Sequence, residues 1–279
     1  MSEIVNEEMA AAWDGAQGDE WVEREDRMNE ALSAHSERLL AAAAVGRDEH
    51  VLDVGCGTGD TTRACADRAV DGRVLGFDLS TAMLERARMR AADAGLTNVE
   101  FERGDAQVYP FEPEWADAVV SRFGVMFFSD PLAAFVNIGR TMKPGGRLAL
   151  VVWQELLRNE WVMVAREALA VGRDLPVAAP GTPGPFGLAD REQTRNILER
   201  AGFGQVSFDD VSAPCSFGAD ADEAFDFARG IGIVKGLLDD LDGERRAQAL
   251  DALRARMDAH DAGAGVEFDS RVWVIRAFR

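Results

Sequence analysis

The stretch Val51-Leu52-Asp53-Val54-Gly55-Cys56-Gly57-Thr58-Gly59-Asp60 decides how this 279-residue chain is read. The apolar run His50–Val54 reads as a buried strand, and it ends in three alternating glycines. A helix is expected directly after them, over Asp60–Val70. Glycines let the main chain turn sharply and let a ligand approach it closely. The N-terminus of the following helix offers unpaired N–H groups to a carboxylate. Asp53, at the strand end, is placed to accept from an ammonium group. Both features together suit a zwitterionic head group, although the same stretch also reads as a tight turn that binds nothing. The spacing is GxGxG with an acid before it, not the GxGxxG of dinucleotide binders, and a pyrophosphate is disfavoured so close to Asp53.

Outward from this loop, strands are expected over Val74–Leu79, Val99–Arg103, Ala116–Ser121 and Arg147–Trp153. Between them, helices are expected over Thr81–Ala94 and Pro131–Met142, the second stopped by Lys143-Pro144-Gly145-Gly146. Strands alternating with helices predict an α/β fold with a parallel sheet and helices on both faces. The flanks differ in character. Residues 1–45 read as helices carrying Trp13 and Trp21. Asn159–Val171 reads as a helix, Pro176–Gly187 as a Pro/Gly-rich loop, Glu192–Ala201 as a helix and Gln205–Val211 as a strand. Asp220–His260 is mostly helical, and Arg271–Phe278 is a last strand. The expected organisation is one domain over residues 1–279. It comprises an N-terminal helical lid (1–45), a binding core (46–153) and C-terminal strands with helical insertions that cover an acceptor (154–279).

Two further acids follow the glycine loop in order. Asp78 ends the second strand nineteen residues after Gly59, where a carboxylate can accept from both hydroxyls of a ribose. Asp105, in Gly104-Asp105-Ala106, ends the third strand, where it can accept from an adenine amino group. Met83, one turn into the helix after Asp78, reads either as an adenine-facing side chain or as ordinary core.

The ordered set resembles the class I S-adenosylmethionine (SAM)-dependent methyltransferases, in particular the small-molecule branch related to ubiquinone and menaquinone biosynthesis. The resemblance rests on VLDVGCGTGD (51–60), LGFDLS (75–80), DAVVSRFGVMFFSDP (117–131) and KPGGRLALVVW (143–153). It implies a Rossmann-like seven-stranded, mostly parallel sheet whose last strand is antiparallel. It implies SAM as cofactor and S-adenosylhomocysteine as product. By the same resemblance Gly55, Gly57 and Gly59, with Cys56 and Thr58 between them, would line the methionine moiety. Asp53 would sit near its ammonium, directly or through water. Asp78 would hold the ribose, Leu79 would flank the adenine, and Gly104, Asp105 and Ala106 would meet its edge. Ser121 and Arg122 would lie beside the sulfonium and the acceptor. Trp13 and Trp21 fall in a stretch that often folds over the cofactor, and an aromatic face near a sulfonium is favourable; both read equally as helix-packing residues.

Charge and composition narrow the acceptor. The chain carries 30 basic and 49 acidic residues, a net charge of −19. Such a surface repels phosphate backbones and anionic membranes, so neither nucleic acid nor membrane is expected as partner. Ser121-Arg122-Phe123-Gly124 stands where amino methyltransferases of nucleic acids resemble one another in an Asn/Asp-Pro-Pro-aromatic motif. Cys56, Cys65 and Cys215 form no disulfide framework and no zinc pattern, and no metal is expected. Met1–Met9 lacks the order of a signal peptide and no apolar run spans a membrane, so the expectation is a cytoplasmic enzyme, monomer or homodimer. No strong general base stands out. His35 is the weak candidate, Tyr109 is a possible pocket residue, and Cys215 reads as structural. Phe123, Met126, Phe127, Trp161, Met163 and Phe186 are expected either to wall an apolar acceptor pocket or to form ordinary core, and the helical stretch Phe225–Leu241 is a further candidate wall. The leading function is methyl transfer to a small apolar or aromatic molecule by direct displacement. The alternatives are a SAM-binding protein that does not methylate and, less favoured, a nicotinamide-dependent oxidoreductase.

Overall fold

Short β-branched runs and well-marked helix starts set the architecture. The computed structural model describes residues 3–279. Its strands are β1 (His50–Val54), β2 (Arg73–Asp78), β3 (Val99–Arg103), β4 (Ala116–Arg122), β5 (Met142–Trp153), β6 (Gly204–Gly218) and β7 (Val266–Phe278). They form one seven-stranded sheet in the order β3-β2-β1-β4-β5-β7-β6. β1 to β5 pair in parallel, while β7 runs antiparallel to both β5 and β6. Val51, Leu52, Val119, Val120, Leu148 and Leu150 are buried, as the near-continuous apolar character of inner parallel strands requires.

Four helices precede the sheet: α1 (Glu7–Trp13), α2 (Ala16–Glu23), α3 (Glu25–Ala31) and α4 (Ser33–Ala43). Between its strands come α5 (Asp60–Ala66), α6 (Thr81–Asp93) and α7 (Pro131–Thr141), then α8 (Glu160–Ala170) and α9 (Arg191–Arg200). α10 (Ala221–Ala228), α11 (Gly232–Asp239) and α12 (Gly243–His260) separate β6 from β7. Side-chain caps fix many of the starts. Ser80 accepts from Met83 N, Asp130 from Ala133 N, Asp190 from Gln193 N, Asp220 from Glu223 N and Asp242 from Arg245 N; each satisfies an N–H that a helix start otherwise leaves unpaired.

The bounds that differ most from expectation are those of β5, β6 and β7. β5 begins at Met142, not Arg147: Met142 pairs with Ala116 and Arg147 with Ala118, so Lys143–Gly146 bulge out of the ladder without ending it. β6 and β7 run on as a long hairpin past Val211 and back to Val266. Pro214, which reads as a strand breaker, is tolerated because β6 is the sheet's edge. The strand order reverses between β1 and β4, and the crevice at that point, outside the strands' C-terminal ends, is where open α/β sheets take ligands.

Candidate active site

A cavity of about 490 Å³ opens at this crevice. The glycine loop forms one side of it. Gly55, Gly57 and Gly59 all have positive φ (+70°, +54° and +79°), the left-handed region that side chains disfavour. Gly55 has a second constraint, because a Cβ there would lie 2.6 Å from Gly124 Cα, so two backbones touch at the exits of β1 and β4. Gly124 is thus a site residue that the spacing argument missed. At Gly57 a Cβ would meet only Met83 Sδ at 3.6 Å and Trp21 Nε1 at 3.9 Å, which leaves its main chain open to a ligand.

Asp78 ties the loop to β2. Its Oδ2 accepts from Gly57 N at 2.8 Å and its Oδ1 from Ser80 N at 2.9 Å. Burial raises its carboxyl above the ordinary value, against the lowering effect of these N–H donors. Asp78, Leu79, Met83, Gly104, Asp105 and Ala106 all lie on the cavity wall. So do Trp13 and Trp21, 6.1 Å apart edge to face, with Trp13 also 5.1 Å from Phe127. Arg122 is on the wall but tied down: Nη1 donates to Asp60 Oδ2 and Ser36 Oγ, and Nη2 to Asn29 Oδ1.

Other expected residues stand off the wall. Cys56, Thr58 and Gly59 shape the loop without lining the cavity, and Gly55 and Cys56 N–H both donate to Phe77 O. Asp53 is buried behind the wall; Thr62 Oγ1 donates to its Oδ2 at 2.7 Å, and Oδ1 has no partner. That position rules out direct contact with a ligand's ammonium and leaves an action through the field or an intervening group. Burial pushes its carboxyl up to about 7, against the Thr62 hydrogen bond and the Arg122 charge. Ser121 is also buried, and its Oγ accepts from Gly124 N and Val125 N, so it braces the turn after β4 and faces no ligand.

The weak base candidate is corrected. His35 is fully buried and off the wall, packed edge-on against Phe123 and Trp153. The Ser270 hydroxyl donates to Ala213 O, so His35 Nε2, 2.9 Å from Ser270 Oγ, carries the hydrogen and donates to it. Burial first, and the Arg122 charge second, lower its pKa to about 4. It is a core imidazole. Tyr109 also leaves the site, since its hydroxyl donates to Glu102 and its ring packs on Phe77 and Phe111. Met163 and Phe186 lie outside the cavity wall, whereas Pro183–Pro185 of the adjoining loop join it.

Beyond Arg122 the wall is apolar. Phe123 and Trp153 stack at 4.2 Å, and Trp161, Phe217, Phe227, Ile231 and Ile233 continue the lining. Phe123 has φ +62°, rare for a bulky residue and a mark of a conformation imposed by its surroundings. Cys215 also faces this part, with its thiol pushed up to about 12 by burial. Phe227 and Ile231 lie within Phe225–Leu241, the helical stretch expected as a further wall, whereas Phe217 sits on an edge strand that only the fold brings to the crevice. α2 meets the α10–α11 segment over the cavity: Arg24 donates to Asp226 O at 2.8 Å and Lys235 pairs with Glu20 at 3.3 Å.

Residues 51–146 match the family model of a methyltransferase domain. An uncharacterised protein of Mycobacterium tuberculosis is 36% identical over 115 residues, 41% of each chain. The ubiquinone/menaquinone biosynthesis C-methyltransferase UbiE of Proteus mirabilis is 28% identical over 204 residues, 67% of this chain and 81% of that one. The crystal structure of the YcgJ protein of Bacillus subtilis shares the fold, with a TM-score of 0.59 at 19% identity over 88% of this chain and 98% of that one. The match spans only 41% of the length of the mycobacterial relatives. Residues 51–146 thus carry a methyltransferase domain, set in a Rossmann-like, mostly parallel seven-stranded sheet. The cofactor of such methyltransferase domains is SAM. The cavity fits that cofactor: an open glycine main chain, a strand-end carboxylate on the wall, and an Ala106 N–H that no described residue takes up. Among the described residues, no helix is long and apolar enough to cross a membrane.

Proposed function

We propose that this protein transfers a methyl group to a small, flat or lipophilic acceptor held on the aromatic side of the cavity. The observation that carries the reading is the wall beyond Arg122, where Phe123, Trp153, Trp161, Phe217 and Phe227 converge with few polar groups among them. A pocket of this kind favours an apolar body with a small number of polar handles. The quinone-pathway relative from Proteus mirabilis is in keeping with a ring-shaped acceptor.

When bound, SAM supplies a methyl group on a cationic sulfur. Gly55 and Gly57 face its methionine end, Gly59, Cys56 and Thr58 hold the loop in shape, and Asp78 takes the ribose hydroxyls. Leu79 and Met83 flank the adenine, and Gly104 and Ala106 meet its edge. Trp13 and Trp21 cover it, and Arg122 stands between cofactor and acceptor. Residues 1–45 act as the lid, 46–153 as the binding core and 154–279 as the acceptor cover. The chain's contribution to rate is alignment of the acceptor along the displacement line and exclusion of water by α2 and the α10–α11 segment. The acceptor is a free small molecule, since a net charge of −19 disfavours nucleic acid.

Replacing Phe123 or Trp161 with alanine removes a large buried ring, worth roughly 1.5–3 kcal/mol of acceptor contact. Turnover of the native acceptor should fall about tenfold to a hundredfold. The dissociation constant for S-adenosylhomocysteine should stay within about threefold of wild type, because neither ring is placed against the cofactor. Full activity in both variants, or a loss confined to cofactor binding, would place the acceptor elsewhere.

A further inference from the structure

Asp105 is expected to read the adenine amino group, but its carboxylate is already engaged. Oδ2 accepts from Val5 N at 3.0 Å and Asn6 N at 2.8 Å. Oδ1 accepts from Gln107 N at 3.0 Å, and Gln107 Nε2 lies 3.1 Å from both oxygens. Gln107 is itself oriented, because its Oε1 accepts from Asp130 N and Ser129 Oγ. A carboxylate offers about four lone-pair sites, and four N–H donors fill them here. The N-terminal segment is therefore fastened to Asp105 through its main chain.

Asn6 is what this fastening positions. It is 4% exposed and lies on the cavity wall. It occupies the N-cap position of α1, where asparagine ordinarily accepts from a helix N–H, yet its side chain makes no capping bond. Instead Nδ2 donates to Phe127 O at 2.9 Å. A carbonyl takes the amide's N–H₂ and repels its oxygen, so this bond fixes which way the amide faces. No donor among the described residues reaches Oδ1, and Oδ1 is not among the sealed, unpartnered atoms of the interior. An open acceptor thus belongs to a residue bonded through its main chain to Asp105, on the same cavity wall as Ala106, whose N–H is unpaired among the described residues.

We propose that Asn6 Oδ1 accepts the hydrogen of the adenine 6-amino group, with Ala106 N–H donating to the neighbouring ring nitrogen. Asp105 is then a positioning residue that holds the N-terminal segment in place and does not itself touch the base. Adenine specificity is carried by the lid, so the cofactor's base is read only when the lid is seated. The inference rests on the SAM site described above.

The test compares two ligands that differ at one group: S-adenosylhomocysteine and its 6-desamino analogue, which has hydrogen in place of the amino group and keeps the ring nitrogen. Dissociation constants are measured by calorimetry on the full chain. Wild type should bind the amino form about tenfold more tightly, the worth of one buried hydrogen bond. Asn6→Ala should bind both ligands alike, at the wild-type affinity for the desamino form. Three results would overturn the assignment. The first is equal binding of the two ligands by wild type. Asn6→Ala could keep the tenfold preference, which returns the base to Asp105. Or Asn6→Ala could weaken both ligands equally, which makes Asn6 a lid anchor only.

Discussion

Asp78→Ala should weaken binding of S-adenosylhomocysteine at least about a hundredfold. Two ribose hydroxyls donating to one carboxylate contribute roughly 1.5–3 kcal/mol each, because the acceptor is charged. The same carboxylate holds the loop, through Gly57 N at 2.8 Å, and the start of α6, through Ser80 N at 2.9 Å. Removing it frees the glycine turn as well as the ribose, and a loop with three left-handed glycines has much freedom to regain. Asp78→Asn separates the two effects. It keeps one oxygen for the loop but offers an amide to the ribose, and its loss should be about tenfold. Titration calorimetry reads both variants, and thermal shift with added ligand gives an independent check by mass action. Asp78→Ala within threefold of wild type would remove the ribose from this strand end.

The central sheet and the cofactor side of the crevice were legible because their signals are local. Val51–Asp60 carries strand, turn and helix start in ten consecutive residues, and Asp78 and Asp105 each close a short apolar run. Backbone contacts between distant segments leave no such mark. Nothing near Gly124 announces that it touches Gly55, and nothing in Ser212–Gly218 announces that a proline-bearing edge strand continues. The acceptor side was legible only in character. Phe123, Met126, Phe127 and Trp161 follow the sheet segments closely, and Phe227 and Ile231 belong to an apolar helical stretch, whereas Phe217 reaches the cavity only through the β6–β7 hairpin. His35 misled for a related reason. A lone histidine on an N-terminal helix gives no hint that Ser270, 235 residues away, seals it in the core.

His35 and Asp53 should cancel each other in the pH dependence of stability, and single substitutions should uncover a slope that wild type hides. Burial lowers His35 from 6.5 to about 4, so the fold excludes a proton that the unfolded chain binds. Its contribution is complete above pH 6.5 and is lost as pH falls toward 4, by about 3 kcal/mol in all. Asp53 has the opposite sign. Burial raises it from 3.8 to about 7, so the fold keeps a proton that the unfolded chain releases. Its contribution is complete below pH 3.8 and is lost as pH rises toward 7, by about 4 kcal/mol. Between about pH 4 and 6.5 each state therefore holds one proton across the pair, and the net slope from the two is near zero. The Arg122 charge acts on both groups, and Thr62, Asp78 and Asp60 also act on Asp53. Asp78, itself raised by burial, adds a fall with rising pH common to wild type and both variants, so the two effects are read as differences from wild type. Glu49, Asp117 and Asp210 are held below their ordinary values, so their effect falls at more acid pH. Asp53→Asn should leave the His35 effect alone, with stability rising by about 3 kcal/mol from pH 4 to 6.5. His35→Gln should leave the Asp53 effect alone, with stability falling by about 4 kcal/mol from pH 4 to 7. Urea unfolding midpoints at constant ionic strength read all three proteins. Parallel pH profiles for wild type and both variants would mean that neither group crosses from water to the core with the protonation state assigned to it.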